Sequence, residues 1–239
     1  MTNPHLTLRN VSVARGTRLA VQDISLSIHR SQWFGIIGAN GSGKTTLLRA
    51  TAGRLPFATG TCTLDNTDIT TNREHRARHI GFAPPADTLP DALRVRELLG
   101  FVTPDPDTFT RQLGPLGHAL GLSDMLDRWI GDCSAGMRQR VALALAFTTD
   151  TGTVILDEPF NWLDPVATYD LKHALQARVA QGLTLITALH DLTTLAQCCT
   201  GGAMLANGRI VLNLTEHDLS DANHDLRDFE ARTIERLRH

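Results

Sequence analysis

Trp33-Phe34-Gly35-Ile36-Ile37-Gly38-Ala39-Asn40-Gly41-Ser42-Gly43-Lys44-Thr45-Thr46 sets a short apolar run directly ahead of a glycine-rich loop that ends in a lysine and two threonines. Trp33 to Ile37 lacks polar alternation, as expected of a strand buried on both faces of a parallel sheet. Thr45 to Ala52 then carries a helical pattern, closed by Gly53 and Pro56. The eight residues Gly38 to Thr45 fit GxxxxGK[ST], and the strand-loop-helix context is the one that pattern needs. Glycine lets backbone N–H groups turn toward an anion with no Cβ in the way. The helix that follows adds its positive dipole end. Lys44 supplies a point charge for the outer phosphates of a nucleoside triphosphate, and Thr45 a hydroxyl for Mg²⁺. Gly38, Ala39, Asn40, Gly41, Ser42, Gly43, Lys44, Thr45 and Thr46 are therefore candidate nucleotide contacts.

A second apolar run, Val154-Ile155-Leu156, ends in Asp157-Glu158-Pro159. Two carboxylates at the carboxyl end of a buried strand suit a metal triphosphate, because the metal offsets their mutual repulsion. Asp157 is placed to hold Mg²⁺, and Glu158 to polarise an attacking water. Alone the acidic pair is moderate evidence, since such pairs are common on surfaces; beside the phosphate loop it is strong.

Working outward, Leu6, Leu8, Val11 and Val13 roughly alternate, and Ile24, Leu26 and Ile28 alternate strictly, so both stretches predict half-buried strands. Thr61 to Leu64 and His79 to Phe82 are weaker strand candidates. Proline and glycine recur from Pro84 to Gly131, with short helical pieces at Arg94 to Leu99 and Leu116 to Leu120. A longer helix is expected from a Ser134 cap to Phe147. Pro165 to Gln181 reads as a helix with proline in its first turn and Gly182 past its end. Leu183 to Leu189 is another apolar strand. Met204-Leu205 and Arg209 to Leu212 flank Asn207-Gly208, a hairpin turn signal, and the charged tail from Asp221 predicts a surface helix. This alternation implies an α/β fold with a mainly parallel sheet, an antiparallel β portion and a small helical lobe. The expected division is one domain over 1–239: residues 1–83 and 148–220 form the core, 84–147 the helical lobe and 221–239 the tail. Ligands in such sheets sit at the carboxyl ends of the strands.

The 239 residues are 42% apolar and 20% charged, with a formal net charge of -2, so no bulk field points to nucleic acid. Val141 to Phe147, the longest clearly apolar stretch, falls far short of the roughly 20 residues a bilayer crossing needs. Met1 to Arg9 has no apolar signal core. The product is expected to be cytoplasmic, with any membrane part supplied by another chain. Cys62, Cys133, Cys198 and Cys199 show no metal-site spacing and are expected to be reduced and mostly buried.

From about Leu6 to Leu212 the order of these motifs resembles the ATP-binding cassette (ABC) ATPases. Cys133-Ser134-Ala135-Gly136-Met137-Arg138-Gln139-Arg140-Val141 is similar to the family's LSGGQ signature and its basic helix. Asn161-Trp162-Leu163-Asp164 resembles the loop after the acidic strand, and His190 resembles the switch histidine. An SAG-type signature and a DEPF sequence are also found in the family's heme-exporter cassettes. The resemblance implies a P-loop ATPase that binds ATP and Mg²⁺, paired head-to-tail with a second cassette, either a copy of the same chain or a different one. Ser134, Ala135 and Gly136 would contact the γ-phosphate in the partner's site, His190 the γ-phosphate in its own, and Asp164 would support the facing site. Lys44, Glu158 and His190 would carry hydrolysis, with Thr45 and Asp157 on the metal. It further implies a separate transmembrane permease, export as the direction of movement, and a place on the inner face of the cell membrane. A soluble cassette acting on ribosomes or DNA, and a weakly hydrolysing regulatory cassette, are the competing readings.

Several positions depart from that pattern. Cys133, Ala135 and Met137 stand where the signature has leucine, glycine and glutamine. Pro85 occupies the place of the family's sensing glutamine and has neither a polar side chain nor an N–H. Arg15, before Gly16, stands where an aromatic residue stacks on adenine; it is read either as a stacking plane or as a solvated loop arginine. The residues for hydrolysis in cis are all present and the trans-acting signature is the altered part, which suggests pairing with a different cassette.

Overall fold

A computed structural model describes residues 4–148, 151–224, 226, 227, 229, 231, 233 and 235. In chain order the elements are β1 (Leu6–Arg15), β2 (Arg18–Ile28), β3 (Trp33–Ile37), α1 (Lys44–Thr51), β4 (Thr59–Leu64), β5 (Thr67–Asp68), α2 (Arg73–His79), β6 (Gly81–Phe82), α3 (Val95–Gly100), α4 (Pro106–Gln112) and α5 (Pro115–Ala119). They continue with α6 (Ala135–Leu145), β7 (Thr153–Asp157), α7 (Pro165–Ala180), β8 (Thr184–Leu189), α8 (Leu192–Cys198), β9 (Gly201–Ala206), β10 (Arg209–Leu214) and α9 (Glu216–His224).

Two sheets result. An antiparallel sheet has the order β2-β1-β4-β5, and a six-stranded sheet has the order β10-β9-β3-β8-β7-β6. In the larger sheet every pairing is parallel except β9 with β10, the pair joined through Asn207-Gly208. The larger sheet is a wall between two cores. Phe34, Ile36, Ile155, Ile186, Ala203 and Leu205 pack with α1 and the antiparallel sheet. Trp33, Ile37, Val154, Leu156, Leu185, Leu189 and Met204 pack with the helices on the other side. Both faces are buried, so these strands read as continuous apolar runs with no alternation.

The irregular spacing of Leu6, Leu8, Val11 and Val13 has a structural cause. Asn10 takes a positive φ of 51° and the register of β1 with β2 shifts between Leu8 and Val11. Opposite it Asp23 also has a positive φ, 54°, and accepts from Asn10 Nδ2 at 2.7 Å. This bulge restores the apolar side chains to the core face.

Some expectations are corrected. His79 ends a helix, and only Gly81–Phe82 pairs as strand. That helix, α2, is short and charged, capped by Asn72 Oδ1 accepting from His75 N at 2.8 Å, so no apolar period announces it. Helix α8 was also not anticipated; Asp191 Oδ1 caps it by accepting from Thr194 N at 2.6 Å. The last helix starts at Glu216 rather than Asp221, with Asp218 accepting from Thr215 N at 2.8 Å. Leu219, Ala222 and Phe229 are buried in the helical-side core, so the tail is amphipathic rather than purely superficial. The remainder of the tail expectation, and residues 149 and 150 beside the expected lobe boundary, lie outside the described residues. Cys62, Cys133 and Cys199 are buried, and all four cysteines are free.

Candidate nucleotide site

The parallel strands β3, β7 and β8 deliver Gly38, Asp157-Glu158 and His190 to the same edge of the sheet. The loop from Gly38 to Gly43 packs tightly where it meets the fold and is open where it faces outward. A Cβ on Gly38 would lie 2.2 Å from Leu205 O, and one on Gly43, φ 108°, would lie 2.7 Å from Ala20 O. Gly41, with φ 80°, has open space beside it, and Ala39 and Asn40 are exposed. Ser42 Oγ is buried and has no hydrogen-bond partner among the described residues. Lys44 opens α1 and is 4% exposed, its Nζ donating to Gly38 O at 2.7 Å and Ala39 O at 3.3 Å. Burial lowers its pKa, and the nearby Glu158 and Asp157 work against that. An orphaned hydroxyl, an ammonium resting on loop carbonyls and a helix N-terminus are the groups a phosphate chain satisfies. Thr46 follows on the same turn, half-buried.

Thr45 Oγ1 donates to Asp157 Oδ1 at 3.2 Å, bringing a hydroxyl and a carboxylate from α1 and β7 together. Both are hard oxygen donors, the chemistry Mg²⁺ accepts. Among the described residues no cluster of three or more His, Cys, Asp or Glu could cage a metal by itself. Burial is the main cause that raises the Asp157 pKa, opposed by the Thr45 hydrogen bond. The carboxylate is therefore disfavoured in the nucleotide-free fold. Its cost is present at neutral pH and is relieved as pH falls through the raised value. Asp157→Asn should accordingly raise the melting temperature of the nucleotide-free protein by roughly 2–4 °C while lowering Mg-ATP turnover. Calorimetry without nucleotide beside a turnover assay checks both; a lowered melting temperature would refute the argument.

Glu158 turns the chain away from β7 with φ 54°. Its N–H donates to Ala188 O at 3.2 Å. Its Oε2 lies 2.7 Å from His190 Nε2 and accepts from Asn161 Nδ2 at 2.8 Å. From α6, Gln139 Nε2 donates to the carbonyls of Glu158 at 3.3 Å and Pro159 at 3.4 Å. Asn161 and Gln139 were not picked out from sequence. Asn161 lies three residues beyond Glu158, a turn spacing that in hindsight is a signal; Gln139 carried none.

The remaining candidates lie apart from this cluster. Ser134 caps α6, its Oγ accepting from Met137 N at 3.3 Å, and Ser134 and Ala135 are exposed. Gly136 is pressed against the following loop, where a Cβ would lie 2.5 Å from Trp162 O. The methyl that Ala135 carries would therefore not fit one residue later. Asp164 caps α7, accepting from Ala167 N at 2.9 Å and from Arg140 Nη2 at 3.3 Å. The Ala167 N–H is the first cause holding its carboxyl below the ordinary value. Arg15 is exposed at the β1–β2 hairpin, opposite Arg18. The same β2 strand abuts the phosphate loop further on, at Ala20. Pro85 is exposed, and its carbonyl accepts from Thr88 Oγ1 at 2.7 Å.

Residues 21–161 match the family model described as ABC transporter. The chain belongs to the ABC transporter family. Like the family's cassettes, it binds and hydrolyses ATP. The cassette is 30% identical over 221 residues to Nod factor export ATP-binding protein I of Cupriavidus pinatubonensis, covering 91% of this chain and 68% of that one. It is 34% identical over 212 residues to human phospholipid-transporting ATPase ABCA7, covering 85% of this chain and 10% of that protein. In fold it is similar to a solved ATP-binding subunit of an ABC transporter, with TM-score 0.81, 24% identity, and 95% and 98% of the two chains covered. It is also similar in fold to 42% of the chain of a bacterial Atm1-family ABC exporter solved with ATP bound, with TM-score 0.80, 20% identity and 98% of this chain covered. No helix among the described residues is long and apolar enough to cross a membrane.

Proposed function

We propose that this cassette is the motor subunit of an export system, works with Mg²⁺, and pairs head-to-tail with a second, different cassette beneath a separate membrane permease. The observation that carries the reading is the joining of Thr45 to Asp157 and of Glu158 to His190 at one edge of the sheet, in a chain whose signature is altered. Lys44 and the loop N–H groups hold the phosphates, with Ser42 and Thr46 on the same turn. Thr45 and Asp157 would hold Mg²⁺, which when bound would offset charge on the phosphates. Glu158 accepts a proton from the attacking water, and His190 hydrogen-bonds the γ-phosphate. Arg15 stacks on adenine. Ser134, Ala135 and Gly136 reach the facing site, supported there by Asp164.

Segment 84–147 serves as the helical lobe that meets the permease. A groove of about 660 Å³ lies between it and the core, lined by Pro84, Pro85, Leu98, Phe101 and Val102 with Arg49 and Arg54. Phe101 is 75% exposed, and so large an exposed apolar residue in a groove suits a partner helix. The export direction follows the similarity to export ATP-binding proteins. The chain then works on the cytoplasmic side of the membrane.

The test is Mg-ATP hydrolysis by the purified chain, alone and with the membrane fraction of its source cell, together with recovery of the chain on membranes. The proposal expects weak turnover alone, and Phe101→Asp to leave the fold intact while releasing the chain from membranes. Brisk turnover with ATP-dependent dimers of the chain alone would overturn the mixed pairing. Unchanged membrane recovery in Phe101→Asp would overturn the groove assignment.

A further inference from the structure

We infer that Asn161 is a positioning residue for the hydrolytic carboxylate, holding Glu158 in its working orientation once His190 has turned to the phosphate. The inference rests on the assignment of Glu158 as the proton acceptor. Two groups meet at one oxygen: Asn161 Nδ2 donates to Glu158 Oε2 at 2.8 Å, and His190 Nε2 lies 2.7 Å from the same atom. Among the described residues no donor meets the other oxygen, Oε1. The His190 nitrogen beside Oε2 is Nε2; when that nitrogen turns to the γ-phosphate, its contact with the carboxylate is given up and the Asn161 hydrogen bond is left to hold Oε2.

Asn161 stays. It belongs to the same turn, and its own N–H donates to Glu158 O at 3.3 Å, so side chain and backbone move as a unit. The Glu158 carbonyl is further fixed by Gln139 at 3.3 Å. Glu158 itself sits at φ 54°, a conformation that aims its side chain away from the strand direction. A carboxylate held through Oε2 presents Oε1 to a water, the geometry a general base needs. This chain has Pro85 where the family's sensing glutamine stands. It therefore has one fewer side chain to order the water and depends more on a well-held carboxylate.

The test compares Asn161→Ala, Asn161→Asp and Asn161→Gln with Glu158→Gln, measured as Mg-ATP turnover of the chain in its membrane assembly and as ATP affinity. Loss of a hydrogen bond to a charged group predicts a fall in kcat of roughly ten- to a hundredfold for Asn161→Ala, with ATP affinity and melting temperature unchanged. Asn161→Asp keeps the shape and removes the donor, placing two carboxylates side by side, so it should lose more than alanine. A role confined to packing would reverse that order. Asn161→Gln, which keeps an amide donor, should recover part of the rate. A crystal structure of Asn161→Ala with a non-hydrolysable triphosphate should show Glu158 turned from its place. Unchanged or increased turnover in Asn161→Ala, or an unmoved Glu158 in that crystal, would overturn the inference. Retained turnover in Glu158→Gln would instead overturn the assignment of Glu158 on which it stands.

Discussion

Glu158→Gln is expected to leave the cassette folded and able to bind Mg-ATP while turnover drops by roughly 10²–10⁴-fold, the contribution typical of a positioned general base. The substitution keeps length and shape. It also keeps an oxygen that can accept from Asn161 Nδ2, now 2.8 Å from the carboxylate. What it removes is the basic oxygen to which we assign the proton from water. The backbone at φ 54° is held by contacts from Ala188 and Gln139 that the substitution does not touch. Phosphate turnover, with ATP binding followed by thermal shift, separates the two effects. Turnover within tenfold of the parent would assign the chemistry elsewhere. A loss of ATP binding would show Glu158 acting on affinity rather than on the chemical step.

Lys44→Ala is expected to act on the earlier step. Its ammonium is 4% exposed and rests on the carbonyls of Gly38 and Ala39 at 2.7 and 3.3 Å. Burial already disfavours its charge, as the lowered pKa records. A triphosphate supplies the negative charge that makes burial of the ammonium favourable. Removing one charged hydrogen-bonding partner of the phosphates should weaken ATP on the order of 100-fold and abolish measurable turnover. The nucleotide-free protein should keep its melting temperature, because relief from a desolvated charge is offset by the packing lost with the lysine stem. The stabilisation conferred by added ATP, which grows as RT ln(1 + [L]/Kd), should largely disappear. Undiminished thermal protection by ATP would show that the loop N–H groups suffice and that Lys44 serves another purpose. These two substitutions divide binding from chemistry between α1 and the end of β7, so their failure modes are distinct.

Much of this could be read from the chain because local pattern and function coincide along it. The loop from Gly38 to Thr45 specifies its own geometry. It needs glycine where the backbone approaches Leu205 and Ala20, and lysine and threonine at the helix start, all within one turn of chain. The apolar runs Trp33 to Ile37, Val154 to Leu156 and Leu183 to Leu189 announce strands buried on both faces, because a parallel sheet between two helical or sheet layers has no wet side. Asp157, Glu158 and His190 could be named because each directly follows such a run. Helices α2 and α8 were invisible. Their reach is seven residues each, too short for an apolar period to develop, and side-chain caps rather than patterning start them. The amphipathic tail was hidden likewise by its surrounding charge.

What the amino-acid order by itself determined is the glycine-rich loop, the acidic strand end and the apolar strands that carry them, since these rest on local pattern; the pairing of those strands, as of Trp33 with Leu185, joins residues far apart. The tertiary structure alone decided how distant parts meet. It brings Gln139 from α6 to the Glu158 carbonyl, sets Asn161 and His190 on one carboxylate oxygen, and lays Gly136 against Trp162 with no room for a methyl. Apart from the Asn161–Glu158 contact, which spans one turn, those contacts join segments whose separation in sequence carries no fixed spacing, and only the packing of the helices against the sheet sets the distances between them.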